Sequence, residues 1–225
     1  MTTQIRTTQG DAEARRRPGR LGRLPRVLAA SAFAIVALGS GAQAALAYGT
    51  PLPCTARSEA AVFAPWGDTA TYFKVSNGGF ENGSTDWSLG QGAMVVSGNE
   101  TYRVAGAADS HSLRLTPNSY AESRTFCVSR GEDTLRLFVN NAHVSGAILH
   151  VDAIAVNPDN GTVGYTAFDV NGDVPGSPWS PTIQLKIPNV LGGAGTEQLT
   201  LRFTLRGAQT TWYIDDVFID PFKSW

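Results

Sequence analysis

The chain has 225 residues, with 18 Lys plus Arg against 19 Asp plus Glu, 42% hydrophobic residues and two cysteines. The basic residues are unevenly placed: residues 1–47 hold seven arginines and two acidic residues, which leaves 11 basic and 17 acidic residues beyond them, a net charge of −6. A mildly acidic domain is a poor candidate for binding nucleic acid or anionic membrane and a reasonable one for binding cations.

Six of the seven arginines lie between Arg15 and Arg26, an apolar run follows from Val27 to Leu38, and two small-residue patterns close the segment, Ala42-Gln43-Ala44 and Ala45-Leu46-Ala47. A basic stretch, a short apolar core and an A-x-A end predict a secretory signal peptide over 1–47. The apolar run is shorter than the roughly 20 residues of a membrane span, so no span is expected once the leader is cleaved. Secretion in turn predicts that Cys54 and Cys127 form a disulfide, the one intramolecular pairing two cysteines allow.

Residues 48–70 read as an irregular tail, since Pro51, Pro53 and Pro65 oppose regular structure. The predicted disulfide tethers this tail, and Trp66 is expected to dock it. From residue 71 to 222 the pattern is one of short alternating strands. In Gln198–Arg206, Leu199, Leu201, Phe203 and Leu205 share one face, opposite Thr200, Arg202, Thr204 and Arg206. A period of two marks a strand with one buried face. The same alternation predicts strands over 134–139, 147–156 and 111–116. Asn160-Gly161 is a hairpin signal, and Gly and Pro clusters punctuate the rest. The expected fold class is all-β, an antiparallel β-sandwich of jelly-roll type.

Two segments stand apart. Near the start of the domain lies Asn77-Gly78-Gly79-Phe80-Glu81-Asn82-Gly83, with Trp87 shortly after; near its end lies Trp212-Tyr213-Ile214-Asp215-Asp216-Val217-Phe218-Ile219. In a regular strand Trp212, Ile214 and Phe218 share a face with Asp216, and Tyr213, Val217 and Ile219 share the other with Asp215. Both faces are apolar, so at least one carboxylate is buried. Such a group must be hydrogen-bonded, neutralised, paired or bound to a metal. Calcium, which prefers carboxylate and carbonyl oxygens, answers that need.

These two motifs resemble the galactose-binding-like jelly roll, the fold of several calcium-containing carbohydrate-binding modules of xylanases and glucanases. The resemblance spans about residues 72 to 221, with its specific residues at the two ends. It implies adjacent terminal strands clamped by a structural calcium, with Glu81 and Asp215 as side-chain ligands, a carbonyl from Asn77 or Gly79, and Asp216 as the alternative aspartate. The layout also resembles a group of secreted actinobacterial proteins that carry a Cys-bearing tail and a W-x-I-D-D-V-type ending.

A sugar site needs aromatic faces and planar polar groups. The candidate ligand-binding residues are Trp179, Tyr165, Arg136, His150 and Asp152, and the outward faces of the strands add Arg202 and Arg206 to a charged sheet surface. Trp87 and Trp212 are expected in the core. No nucleophile elbow or H-E-x-x-H motif occurs, so no catalytic residues are assigned. Asp152 and Glu122 are the carboxylates a glycosidase would need, although nothing in the sequence pairs them. Three functions follow, in order: extracellular glycan binding without catalysis, a structural or cell-surface interaction protein with no sugar site, and a small secreted polysaccharide hydrolase or lyase.

Overall fold

The computed structural model describes Cys54 and residues 57–220, apart from 130, 142–143, 145, 172–177, 188–194 and 208–209. The predicted signal peptide lies outside these residues.

The described residues form fourteen strands: β1 (Glu59–Ala60), β2 (Tyr72–Lys74), β3 (Trp87–Gly90), β4 (Met94–Ser97), β5 (His111–Leu115), β6 (Tyr120–Ser123), β7 (Phe126–Ser129), β8 (Thr134–Asn140), β9 (Ala147–Val156), β10 (Val163–Asn171), β11 (Ser180–Pro181), β12 (Leu185–Lys186), β13 (Thr196–Gly207) and β14 (Trp212–Asp220). They make two antiparallel sheets. One has eight strands, with β1-β2-β14-β5-β4 in order and β8 pairing β14, β11 and β12; the other has six, β10-β9-β13-β6-β3 with β7 beside β13. This is the expected β-sandwich. No helix among the described residues is long and apolar enough to cross a membrane.

The alternation read from sequence places the core. Leu199, Leu201, Phe203 and Leu205 from β13, with Leu149, Val151 and Ala153 from β9, meet Leu113, Leu115, Leu135, Leu137 and Trp212 of the other sheet in one buried cluster. Trp87 joins it, 5.7 Å from the Phe203 ring and stacked on it. The Asn-Gly turn closes the β9–β10 hairpin, with Gly161 N–H on the Asn157 carbonyl at 2.9 Å.

The tail is more ordered than its prolines suggest. Its strand β1 pairs with β2, and a single 3-10 turn covers Ala64–Trp66. Phe63, fully buried, sits among Trp66, Tyr72, Phe138 and Phe218 with ring centroids 4.9–6.2 Å away. Trp66 docks the tail as expected, 5.5 Å from Phe138. The predicted Cys54–Cys127 disulfide is present. A second anchor is the ion pair of Arg57 with Glu132, whose two oxygens take its Nη1 and Nη2 at 2.8 and 2.6 Å. The tail therefore covers the outer side of the eight-stranded sheet, and β8 is buried on both faces.

The parity expected for β14 is corrected by a bulge. Pairing with β8 shifts register between Asp215 and Phe218, and Asp216 adopts φ 48°. An extra residue flips every side chain beyond it, and aspartate tolerates this left-handed conformation better than most residues. The inter-sheet face is consequently Trp212, Ile214, Val217 and Ile219, while Tyr213 and Phe218 pack with the tail cluster.

Candidate functional site

The bulge gathers a buried acidic centre. Asp215 and Asp216 are both fully buried, and Glu100, from the loop after β4, is 1% exposed. The Asp215 carboxylate accepts N–H bonds from Asp216 at 2.8 Å and Glu100 at 3.0 Å. Glu100 in turn accepts the N–H groups of Tyr102 and Val104, which curls its loop around the carboxylate. The nearest positive charge is Lys74 Nζ, 3.5 Å from Asp216 Oδ1. Asp216 Oδ2 is buried and has no hydrogen-bond partner among the described residues. Burial, with the charges of Asp216 and Glu100 adding to it, pushes the Asp215 carboxyl up to about 9. Burial raises Asp216 to about 7; the Lys74 charge opposes the rise, and the Asp109 and Glu100 charges add to it.

Of the residues expected to hold calcium, the structure brings Gly79, Asp215 and Asp216 together. A side chain on Gly79 would stand 2.9 Å from Asp216 Oδ1 and 3.8 Å from Asp215 Oδ1. The terminal strands lie side by side as the resemblance implies: β2 pairs β14, and Val217 N–H bonds to the Gly78 carbonyl at 3.1 Å. Asn77 instead braces its own turn, donating to the Gly83 and Thr85 carbonyls at 2.9 and 2.7 Å. The Glu81 carboxylate is engaged by the Ser110 and His111 N–H groups at 2.9 and 2.8 Å and by His111 Nδ1 at 3.0 Å. Although burial works against it, these bonds hold Glu81 below the usual carboxylate range. Glu81→Gln weakens this brace and is expected to cost about 1 kcal/mol, some ~3 °C in melting temperature. A variant that melts like the parent would remove Glu81's bracing role.

Among the described residues no three His, Cys, Asp or Glu side chains are arranged to hold a metal ion. Oxygen chemistry and charge nevertheless fit a hard cation at Asp216: its Oδ2 is buried with no hydrogen-bond partner among the described residues, its Oδ1 meets a single ammonium, Lys74, and Asp215 and Glu100 are two further buried carboxylates, joined by the bond from the Glu100 N–H to Asp215. A cation there would draw further ligands from backbone carbonyls, which calcium accepts readily.

The five residues expected to bind ligand divide between the sheets. Tyr165, His150 and Asp152 lie together on the outer face of the six-stranded sheet. His150 is held between two carboxylates, with Nδ1 2.6 Å from Asp169 and Nε2 2.8 Å from Asp152. The Tyr165 hydroxyl donates to the same Asp152 oxygen, and the residue is 61% exposed. Strand register extends this group into two rows, Ser88–Glu122–Arg202–Asp152–Ala167 and Gly90–Tyr120–Thr204–His150–Asp169. Five strands at ~4.8 Å spacing make the face about 19 Å wide. The Arg202 guanidinium lies 4.2 Å from the Tyr120 ring centroid and 3.5 Å from Glu122. Gly90 leaves room for that ring, since a side chain there would run into it. Burial raises the Glu122 carboxyl; Arg202 pulls it back, and the Asp152 charge adds to the rise.

Arg136 and Trp179 lie instead on the eight-stranded sheet, under the tail. Arg136 donates to the Thr182 carbonyl at 3.0 and 2.7 Å and to Asp68 at 2.6 Å, and lies 4.0 Å over Phe63. Trp179 is 7% exposed and packs near Tyr213. Both belong to the tail's docking surface. The surface expected from the outward residues forms where β9 and β13 are neighbours, and Arg136 is not part of it. Alternation shows which side chains point outward without showing which sheet a strand joins.

No protein-family model and no curated protein matches the chain. Among solved structures it is similar to TmCBM61 in complex with beta-1,4-galactotriose, at 15% identity and a TM-score of 0.39, over 65% of this chain and 96% of that one. It is similar also to a family 11 carbohydrate-binding module from Clostridium thermocellum bound to a beta-1,3-1,4-mixed-linked tetrasaccharide, at 12% identity and 0.35, over 65% and 95%. A third is an arabinose-bound α-L-arabinofuranosidase, MgGH51, at 13% identity and 0.42, where the matched region is 26% of that chain. At these identities and scores the functional reading rests on the chain's own residues.

Proposed function

We propose that this chain is a secreted, non-catalytic carbohydrate-binding protein whose glycan lies across the outer face of the six-stranded sheet, with a structural calcium at the β14 bulge. The observation that carries the reading is the double row of polar and aromatic side chains on that face. Tyr165, 61% exposed, offers ring surface to the C–H face of a sugar, while the Tyr120 ring is covered by the Arg202 guanidinium and helps to hold it in place. Asp152, His150 and Asp169, tied to one another, and Arg202, paired with Glu122, offer acceptors and donors already held in place, so little side-chain freedom is lost on binding. Calcium, when bound, would neutralise the buried carboxylates. Asp215 and Asp216 would hold it with a Gly79 carbonyl, and it would lock β2 and the Glu100 loop to β14.

A glycan array run at low and high salt tests the sugar reading. Binding to a neutral glycan that survives high salt is expected, because stacking and hydrogen bonding are not screened as ion pairs are. A chain that binds no glycan is a structural or cell-surface interaction protein instead. One observation favours a second reading, hydrolysis of the bound glycan: Glu122, buried and raised, and Asp152 flank Arg202 on the same face. Carboxylates on opposite sides of a scissile bond are what inverting glycosidases require. Turnover lost in both Glu122→Gln and Asp152→Asn would establish it, and no turnover in the parent would dismiss it.

A further inference from the structure

On the far side of the sandwich the tail builds a groove. A groove of about 680 Å³ lies where the tail meets the outer surface of the eight-stranded sheet, lined by Trp66, Asp68, Arg136, Ile183 and Gln184 among others. Its size falls in the range of ordinary small-ligand sites, roughly 300–1,000 Å³. Ile183 is 78% exposed and Trp66 is partly so, which leaves apolar surface open to solvent beside a polar floor.

The floor is organised around Asp68. One of its oxygens accepts from Arg136 at 2.6 Å, the Tyr72 hydroxyl at 2.7 Å and Gln184 Nε2 at 3.1 Å; among the described residues the other accepts only the Ala70 N–H, at 3.2 Å. Burial works against the charged form, yet the bonds from Tyr72, Gln184, Arg136 and Ala70 together hold Asp68 below the usual carboxylate range. It is thus an ionised, acceptor-only group with lone-pair capacity left on one oxygen. Exposed Gln184 adds an amide oxygen beside it.

The charge arrangement selects the ligand. Arg136 neutralises Asp68, so the groove has no net pull on a cation. Arg136 is 6% exposed and spends its Nε, Nη1 and Nη2 on Thr182 and Asp68, so it offers little to an anion. What remains is an aromatic and an aliphatic wall over a carboxylate and an amide, a match for a molecule with an apolar face and uncharged hydroxyls. We propose that this groove is a second carbohydrate site, which takes a neutral monosaccharide unit between Trp66 and Ile183 with its hydroxyls on Asp68 and Gln184. The site is separate from the sheet face and does not depend on that face binding sugar.

The test is an NMR titration of the whole secreted domain with methyl glycosides of galactose, glucose and xylose and, in parallel, with glucuronate. At least one neutral glycoside should shift the Trp66 indole N–H and the Gln184 side-chain amide saturably. Ile183→Asp and Gln184→Ala, both at exposed positions, should each weaken that binding by about ten-fold or more with the melting temperature unchanged. Tyr165→Ala, on the other sheet, should leave it intact, so failure of the sheet-face reading and failure of this one are told apart. Absence of saturable shifts at both reporters, preference for glucuronate, or full binding in both groove variants would overturn the proposal.

Discussion

In excess EGTA the melting temperature of the domain should fall as pH rises from about 5 to about 7, by on the order of 10 °C. The sign follows from the two aspartates. Burial raises Asp215 to about 9 and Asp216 to about 7 in the folded chain, whereas both titrate near 3.8 when unfolded. Between those limits the folded state holds protons that the unfolded state has released, so stability falls with rising pH. Each group contributes roughly 1.4 kcal/mol per pH unit. On the proposed calcium site, calcium should reverse the trend, since a cation held by the ionised carboxylates would stabilise the state that binds it. In millimolar calcium the melting temperature should hold or rise over the same interval. Asp216→Asn should abolish the difference between calcium and EGTA, while Glu81→Gln should keep it. Identical pH profiles with and without calcium would reduce the aspartates to a hydrogen-bonded, proton-dependent core.

Cys54→Ser, or reduction of the parent, should destabilise the domain by about 4 kcal/mol in the chain-entropy treatment. The bridge joins residues 73 positions apart, and a long closed loop restricts the unfolded chain strongly. That corresponds to a drop on the order of 10 °C in melting temperature. The consequence is also local. Without the bridge the tail is held by the Arg57–Glu132 pair and by Phe63, and Trp66 belongs both to that docked tail and to the groove. A loss below about 1 kcal/mol would mean that Phe63 and Arg57 fix the tail without the disulfide.

Several of these features are legible in the sequence because they are local. The alternation in 198–206 reports one buried face, and β13 buries those four residues. Asn160-Gly161 specifies the β9–β10 hairpin, and two cysteines allow one bridge. The Asp215-Asp216 pair between apolar faces announces buried charge, and both are buried. What stayed hidden is long-range. Asp216 in the left-handed region turns the strand over, which no parity count anticipates. Lys74 and Glu100 meet Asp216 and Asp215 from strands and loops more than 100 positions away, without periodic signal. Phe63 looked like part of a proline-rich tail, yet it anchors a second aromatic cluster. Arg136 and Arg202 point outward from equally regular strands, and only the sheet pairing separates them.

The most direct test of the glycan-binding account is isothermal titration calorimetry of the domain with an array-positive oligosaccharide, repeated on Tyr165→Ala and Arg202→Ala. The account predicts that both variants keep the parent melting temperature to within a few degrees and lose about ten-fold or more in affinity. Undiminished affinity in both variants, or no heat with any array-positive glycan, would contradict it.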